Sequence, residues 1–430
     1  MAPYEEATPT GLGDVERLRE AAFERVERAG LLERPDGTET SFPLDPVPRV
    51  LRADEWDALK GGLAQRVKAL CAFVADAYGP RRIVQAGIVP SRVIETAEQY
   101  EPQMRGVEPP GGHWVGIAGL DLVRDPEGEF LVLEDNLMTP SGFAYAAAAR
   151  DAVAGSLNSR TEQPRDYDEL PDLLAGALRA GEDDHLVVLT EGQENGAYWE
   201  HAWAAEQLGV PVVTPEELRR DGDRLMHGDL QVDVIYRRTD ADTLHTAVGG
   251  LIAPAIRAGT VSVVNAFGVG VGDDKLTHAY VEDMIRFYLG EEPLVRSVQT
   301  LDFARRDHLE EALDRFEELV IKPRAGSGGR GVTVCPLTER AEVEALREEV
   351  RADPEQWVAQ PVVELSTHAT LIDGKLAPRH VDLRPFVFMH GPDRPRVMPG
   401  GLTRYAVEEG AMVVNSTQNG GFKDTWVLAR

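Results

Sequence analysis

The spacing of apolar residues changes several times along this chain, and each change marks a different layer of structure. Through residues 14–105 apolar positions recur every three or four residues, as in VERLREAAFERVERAGLLER and EWDALKGGLAQRVKALCAFVADAY, between proline-rich turns. That period predicts a mainly helical opening region, residues 1–110. From His113 to Asn136 the period falls to two. The run HWVGIAGLDLVRDPEGEFLVLEDN holds two apolar stretches around Asp125-Pro126-Glu127-Gly128, a strand, turn and strand within residues 111–145. An alanine-rich helical run, Tyr145 to Ala154, and a polar linker lead to HLVVLTEG, which begins a βαβ series. It continues through the helix AYWEHAWAAEQLG, the strands VPVV and DVIYRR, and TVSVVNAFGVGVGDDK running into one long helix, HAYVEDMIRFYLG. Residues 146–300 therefore read as an open parallel α/β layer. Residues 301–430 return to β-rich pairs: LVIKP with GVTVC, WVAQPVVEL, and ATLIDGKLAPRHVDLRPFVFM.

Composition narrows the class. At 430 residues and 43% hydrophobic content the chain has room for two or three domains and a large core. No apolar run approaches the ~18 residues of a membrane span. The start, MAPYEEATPT, is acidic where a secretion signal is basic and then apolar, so a cytoplasmic protein is expected. Two cysteines, Cys71 and Cys335, with no C-x-x-C and no histidine cluster, argue against a disulfide framework or a zinc site. A net charge of -28 repels nucleic acid and anionic membranes, so an anionic ligand needs a local basic pocket. Assembly into homo-oligomers is left open by the composition.

Within VIKPRAGSGGRGVTV, Gly326, Gly328 and Gly331 have the spacing G-x-G-x-x-G of a dinucleotide fingerprint. A Rossmann loop must run into a helix, whereas Val-Thr-Val-Cys-Pro follows here, a short β-branched run that Pro336 stops. No Lys-Ser or Lys-Thr follows, which excludes a Walker loop. The loop joins two strands. Such a hairpin either folds its backbone N–H groups over phosphates, with Lys322 on the entering strand, or is an ordinary glycine-rich turn. In the earlier hairpin Asp121 lies on the first strand, and Glu134 and Asn136 share one face of the second. Three such oxygens suit Mg²⁺, a hard octahedral cation that shares its shell with phosphates, or else they are solvated acids of an acidic chain. WVAQPVVEL, with Gln360 and Glu364, reads as a strand that meets a base and ribose, or as a buried strand with polar ends. Arg384 and Arg404 sit on predicted strands, where a guanidinium fork suits phosphate or carboxylate oxygens as well as it suits a salt bridge.

Taken together, Lys322, the glycine loop 326–331, the segment 359–364, Asp-Leu-Arg 382–384, Arg404, Asp121 and Glu134-x-Asn136 resemble the ATP-grasp ligases. The acidic strands precede the lysine by some two hundred residues, where most of that superfamily has them after it. This order, with LEDNLMTPSG, NAFGVGVGDDK, PGGLTRYA and NGGFKDTWVL, resembles the circularly permuted ATP-grasp proteins related to glutathionylspermidine synthetase, from about residue 85 onward. The resemblance implies an α/β fold. Residues 111–145 would be its metal-binding half and 301–430 its nucleotide-binding half, flanking the α/β middle domain. ATP phosphates would lie on Lys322 and the backbone of Ser327, Gly328, Gly329, Arg330 and Gly331. Gln360, Val362 and Glu364 would frame adenine and ribose; Asp121, Glu134 and Asn136 would coordinate Mg²⁺. Arg384, Arg404 and Lys275 would serve the transferred phosphate and the acyl phosphate. Asn265, Asp274, Ser91 and Arg92 are further candidates, with Asp273 or Asp274 equally suited to cap the following helix. The implied reaction joins a small carboxylate to an amine, amino-acid-like or peptide, through an acyl phosphate. A small-molecule kinase and an inert ATP-binding module remain as alternatives.

Overall fold

The computed structural model describes residues 3–9, 12, 14–33, 40–154, 163–178, 181, 183–239, 243–326, 330–412, 414 and 420–429. The opening region is built on the helix Ala53–Tyr78, 26 residues long. Its apolar positions Trp56, Leu59, Leu63, Val67, Leu70 and Val74 fall three or four apart and are all buried in the largest core cluster. Each such side chain contributes roughly 1.5–3 kcal/mol on burial. Gly62 costs about 1 kcal/mol of helix propensity. A methyl group there would overlap Val295, so the glycine permits the close approach of the 291–298 segment.

That region is not helical throughout. Leu44–Leu51 (LDPVPRVL) is a strand, parallel to Gly421–Val427 and at the end of the main ten-stranded sheet. Pro46 and Pro48 hide it from pattern reading, since proline removes ladder donors and is tolerated on edge strands, which is where this strand lies. The centre of the sheet is the hairpin Ile117–Arg124 and Phe130–Asn136, antiparallel, with Asp121 opposite Glu134 and Gly119 opposite Asn136. Lys375–Arg384 pairs with Ile117–Arg124 at Leu383 and Leu122, and then with Leu402–Tyr405, where Asp382 faces Arg404.

The middle layer is a four-stranded parallel sheet in the order Ser262–Val264, Val234–Arg237, Leu186–Leu189, Val212–Val213. A three-stranded antiparallel sheet, Leu218–Asp221, Arg224–His227 and Leu230–Gln231, is inserted in it. The helix expected over HAYVEDMIRFYLG forms as one run from Val281 to Leu289, α-helical over Val281–Met284 and π-helical over Ile285–Leu289, and a separate short helix, Lys275–His278, precedes it. The break falls at Tyr280, whose backbone is not helical (φ -115°, ψ 0°) and whose hydroxyl donates to Asp302 at 2.5 Å.

The last lobe is a four-stranded antiparallel sheet, Leu301–Asp302, Trp357–Pro361, Leu319–Pro323 and Thr333–Val334, with its own core of Phe303, Phe316, Ile321, Val343 and Val350. The glycine loop does connect two antiparallel strands, Leu319–Pro323 and Thr333–Val334. Cys71 and Cys335 are free and buried, and burial pushes their thiols up to about 12 and about 11. Neither will react with 5,5′-dithiobis(2-nitrobenzoate) in the native protein, and both will in urea; fast labelling without denaturant would contradict this packing.

Candidate functional site

Between the carboxylate hairpin and the lysine lobe lies a cleft of about 800 Å³. Its lining includes Asp121, Glu134, Asn136, Lys275, Lys322, Arg330, Gln360, Val362, Arg384 and Arg404 from the sequence candidates, together with Asp274. Val123, Val320, Val332, Val334, Leu365 and Met412 add an aliphatic wall to these charged and polar residues. Strand alternation puts both Val320 and Lys322 of Leu319–Pro323 on the cleft face, two residues apart.

The carboxylate hairpin meets the lysine lobe through an ion pair, Lys322 Nζ to Glu134 Oε1 at 3.2 Å. Burial raises the Glu134 carboxyl, but the Lys322 and Lys275 ammonium groups outweigh it and hold Glu134 below its ordinary range. Burial lowers Lys275, with Glu134 acting against it. Lys275 Nζ donates to Gly326 O at 2.6 Å, which fixes the start of the glycine loop. Arg330 lines the cleft, Gly331 does not, and Ser327, Gly328 and Gly329 lie outside the described residues.

Asp121 is engaged on both oxygens. Arg384 donates Nε to Oδ1 at 2.6 Å and Nη2 to Oδ2 at 2.8 Å, and Arg404 Nη2 is 3.0 Å from Oδ2. Burial would raise this carboxyl, yet the two arginines hold it far below the carboxylate range. Arg404 also donates Nε to Asp382 Oδ1 at 2.9 Å, and Asp382 is raised by burial against Arg404. Two carboxylates and two guanidinium groups thus form a charge-balanced chain, Arg384–Asp121–Arg404–Asp382. Arg384 lies at its cleft edge, while Arg404 is held from behind by both acids. Ligation of a cation by Asp121 requires Arg384 to give way.

Among the described residues no three His, Cys, Asp or Glu side chains are gathered as a metal cage. The donor set still fits Mg²⁺, which takes one or two carboxylates and completes its shell with phosphate and water. Asn136 Nδ2 is buried beside Glu134 without a partner among the described residues. Either end of that amide suits a magnesium–phosphate pair, its oxygen toward the cation or its nitrogen toward phosphate.

Other candidates have different places. Asn265 is buried and structural: its Oδ1 accepts from the N–H groups of Gly116 (2.6 Å) and Ile117 (3.0 Å), and its Nδ2 donates to Ile117 O at 2.7 Å. Arg92 pairs with Asp302, Ser91 is exposed at the start of Arg92–Glu95, and Glu364 is outside the cleft lining. Asp274 is the helix cap, accepting from Leu276 N at 2.8 Å, and it also holds Arg324 Nη2 at 3.0 Å. Asp273 accepts from the N–H groups of Leu137 (2.8 Å) and Met138 (3.1 Å).

Sequence reading did not find Arg324, Asp135, Arg66 or His278. Arg324 follows directly on Lys322-Pro323, which was the available signal; Asp135, between Glu134 and Asn136, lines the cleft with its carboxylate held by Arg66. Arg66 donates Nε and Nη2 to Asp135 at 2.6 and 2.7 Å, and His278 Nδ1 lies 2.9 Å from the same carboxylate.

The family model for circularly permuted ATP-grasp type 2 matches residues 48–406. An uncharacterised protein of Mycobacterium tuberculosis is 44% identical over 447 residues, covering 99% of this chain and 81% of that protein. A protein of Frankia casuarinae, provisionally named glutamate–cysteine ligase 2-2, is 42% identical over 96% of this chain but only 50% of its own length. A glutathione synthetase-like effector of Globodera pallida, solved without ligand, superposes with a TM-score of 0.63 over 96% of both chains at 12% identity, a likeness of fold. With the permuted order of its acidic hairpin and lysine lobe, and with a family match over most of its length, the chain belongs to the circularly permuted ATP-grasp type 2 family.

Proposed function

We propose that this protein is an ATP-dependent carboxylate–amine ligase that forms a peptide or γ-glutamyl-type amide between two amino-acid-like substrates. The observation that carries the reading is the Lys322–Glu134 pair, which brings the lysine lobe and the carboxylate hairpin to one cleft. Family membership points to this chemistry at the level of ATP-grasp ligation. The name of the Frankia relative supports a glutamyl donor, although this chain spans half of that protein.

In the proposed reaction a substrate carboxylate oxygen bonds to the γ-phosphorus as the bond to the β-phosphate oxygen breaks and ADP leaves. The amine nitrogen then attacks the acyl carbon, loses a proton, and phosphate departs with the carbonyl–oxygen bond broken. Lys322 and Arg384 neutralise phosphate charge, and Arg404 and Asp382 hold Asp121 and Arg384 in register. Gln360 and Val362, with the aliphatic wall of the cleft, would receive the base, and Glu134, Asn136 and a released Asp121 would hold Mg²⁺. The bound cation supplies charge neutralisation on the phosphates. No protein nucleophile is required: catalysis rests on alignment and on charge placed in a closed cleft.

The test is ADP and phosphate release from ATP and Mg²⁺ against a panel of amino acids, singly and in pairs, with wild type and Glu134→Ala. Turnover should need one carboxylate and one amine and should fall at least a hundredfold in the variant, as loss of a group acting on transition-state charge does. A stable phosphorylated product with no amine present would make the enzyme a kinase. Binding of ATP with no turnover on any pair would make it a binding module.

A further inference from the structure

Beneath the cleft lies a small cavity of about 10 Å³, room for about one water molecule. Glu134, Lys275, His278, Lys322 and Gln360 are among its walls. His278, Lys322 and Gln360 are each only 4% exposed. His278 Nδ1 faces Asp135 Oδ2 at 2.9 Å, and a carboxylate only accepts, so Nδ1 carries the proton and Nε2 is an acceptor. Arg66 Nη2 lies 3.1 Å from Nδ1 and gives one of its two hydrogens to the same carboxylate at 2.7 Å; an unprotonated Nδ1 would set its lone pair against the carboxylate oxygen. Gln360 Nε2 donates to Thr300 Oγ1 at 2.9 Å, while the Thr300 hydroxyl donates to Val298 O at 3.2 Å. The amide orientation follows from that order, leaving Oε1 as the second acceptor. Both His278 Nε2 and Gln360 Oε1 are buried without a partner among the described residues. Lys322 Nζ has three donors and places one on Glu134 at 3.2 Å.

Two buried acceptors and a cation with donors to spare share one water-sized space. We propose an internal water site there, the water donating to His278 Nε2 and Gln360 Oε1 and accepting from Lys322 Nζ. His278 is then a positioning residue: held by Asp135 and Arg66, it orients the lysine ammonium toward the nucleotide and ties it to the strand Trp357–Pro361. The nucleotide part rests on the ligase reading; the water site does not.

Two variants separate this role from a packing role. Glutamine at 278 keeps a polar atom near the Nε2 position and gives up the Asp135 bond, whereas asparagine keeps the Asp135 bond and gives up Nε2. Titration with N-methylanthraniloyl-ATP and Mg²⁺ should find His278→Gln within about threefold of wild type and His278→Asn about tenfold weaker, the size of one lost hydrogen bond to a charged group. The reverse order, or equal affinity in His278→Asn and wild type, would overturn the positioning role. A high-resolution crystal structure of the wild type should show the water within hydrogen-bond reach of all three atoms. A cavity without water density, or a direct His278–Lys322 contact, would overturn the site whatever the variants do. Failure of the wild type to bind the labelled ATP would count against the ligase reading and leave the crystallographic test of the water standing.

Discussion

Lys322→Met will leave the protein folded and reduce ATP-dependent turnover by about a thousandfold. The magnitude follows from removing a preorganised charge aimed at a transferring phosphoryl group, which costs on the order of 10²–10³ in rate, with weaker ground-state binding added. Methionine keeps most of the lysine stem, so the lobe core of Ile321 and Ala359 is not opened. The partner left behind, Glu134, has 34% of its side chain exposed and is rehydrated on loss of Lys322. The expected stability change is therefore small. Urea unfolding together with ADP release checks both halves of the statement: turnover within tenfold of wild type would remove Lys322 from the phosphate site, and a collapse in stability would make it a structural lysine. Lys322→Arg should not restore activity, because a planar fork does not place its charge where a compact ammonium does.

The largest stability effect is expected at a pair that plays no direct part in the chemistry. Arg66 and Asp135 side chains are each 1% exposed and joined by two hydrogen bonds, and Arg66 Nη1 also reaches Ser297 Oγ at 2.8 Å. Arg66→Met should cost about 3–5 kcal/mol, since it strands a buried carboxylate with only His278 beside it. Arg66→Met combined with Asp135→Leu should recover a large part of that loss, because an apolar pair of similar volume carries no desolvation cost. The pH dependence has a fixed sign. Burial raises the Asp135 carboxyl, but Arg66 and His278 prevail and hold it below its unfolded value. Its contribution is present above about pH 4, the unfolded carboxyl value, and is lost as pH falls through the lower folded value. The gap between wild type and Arg66→Met, followed by chemical unfolding across pH, should narrow as acid is added. A gap that widens in acid would show that the carboxylate is not what the arginine serves.

Much of the site could be read before any coordinates, and the legible parts are those set by neighbours in the chain. Glu134 and Asn136 share a face because alternation puts residues two apart on one side of a strand. The glycine loop was recognisable as a hairpin because β-branched residues and Pro336 follow it. A 26-residue helix announced itself through its three-and-four spacing. Other features left no such trace. The prolines of Leu44–Leu51 argue against a strand until the strand is found at a sheet edge. The helical pattern after Asp274 continues through Tyr280, yet there the backbone leaves the helix and the hydroxyl bonds Asp302. Asp121 looks like a free ligand in the sequence, while its arginine partner Arg384 lies 263 positions away. Asn265, a further site candidate in the sequence, braces backbone N–H groups at Gly116 and Ile117; Asp135, between Glu134 and Asn136, gives its carboxylate to Arg66. Periodicity and turn chemistry act over a few residues, so a linear reading reaches strands, loops and the faces of their side chains. Which charge meets which is settled only when the sheet closes and water leaves, because desolvation makes an unpaired buried charge too costly to keep and selects its partner by proximity in space.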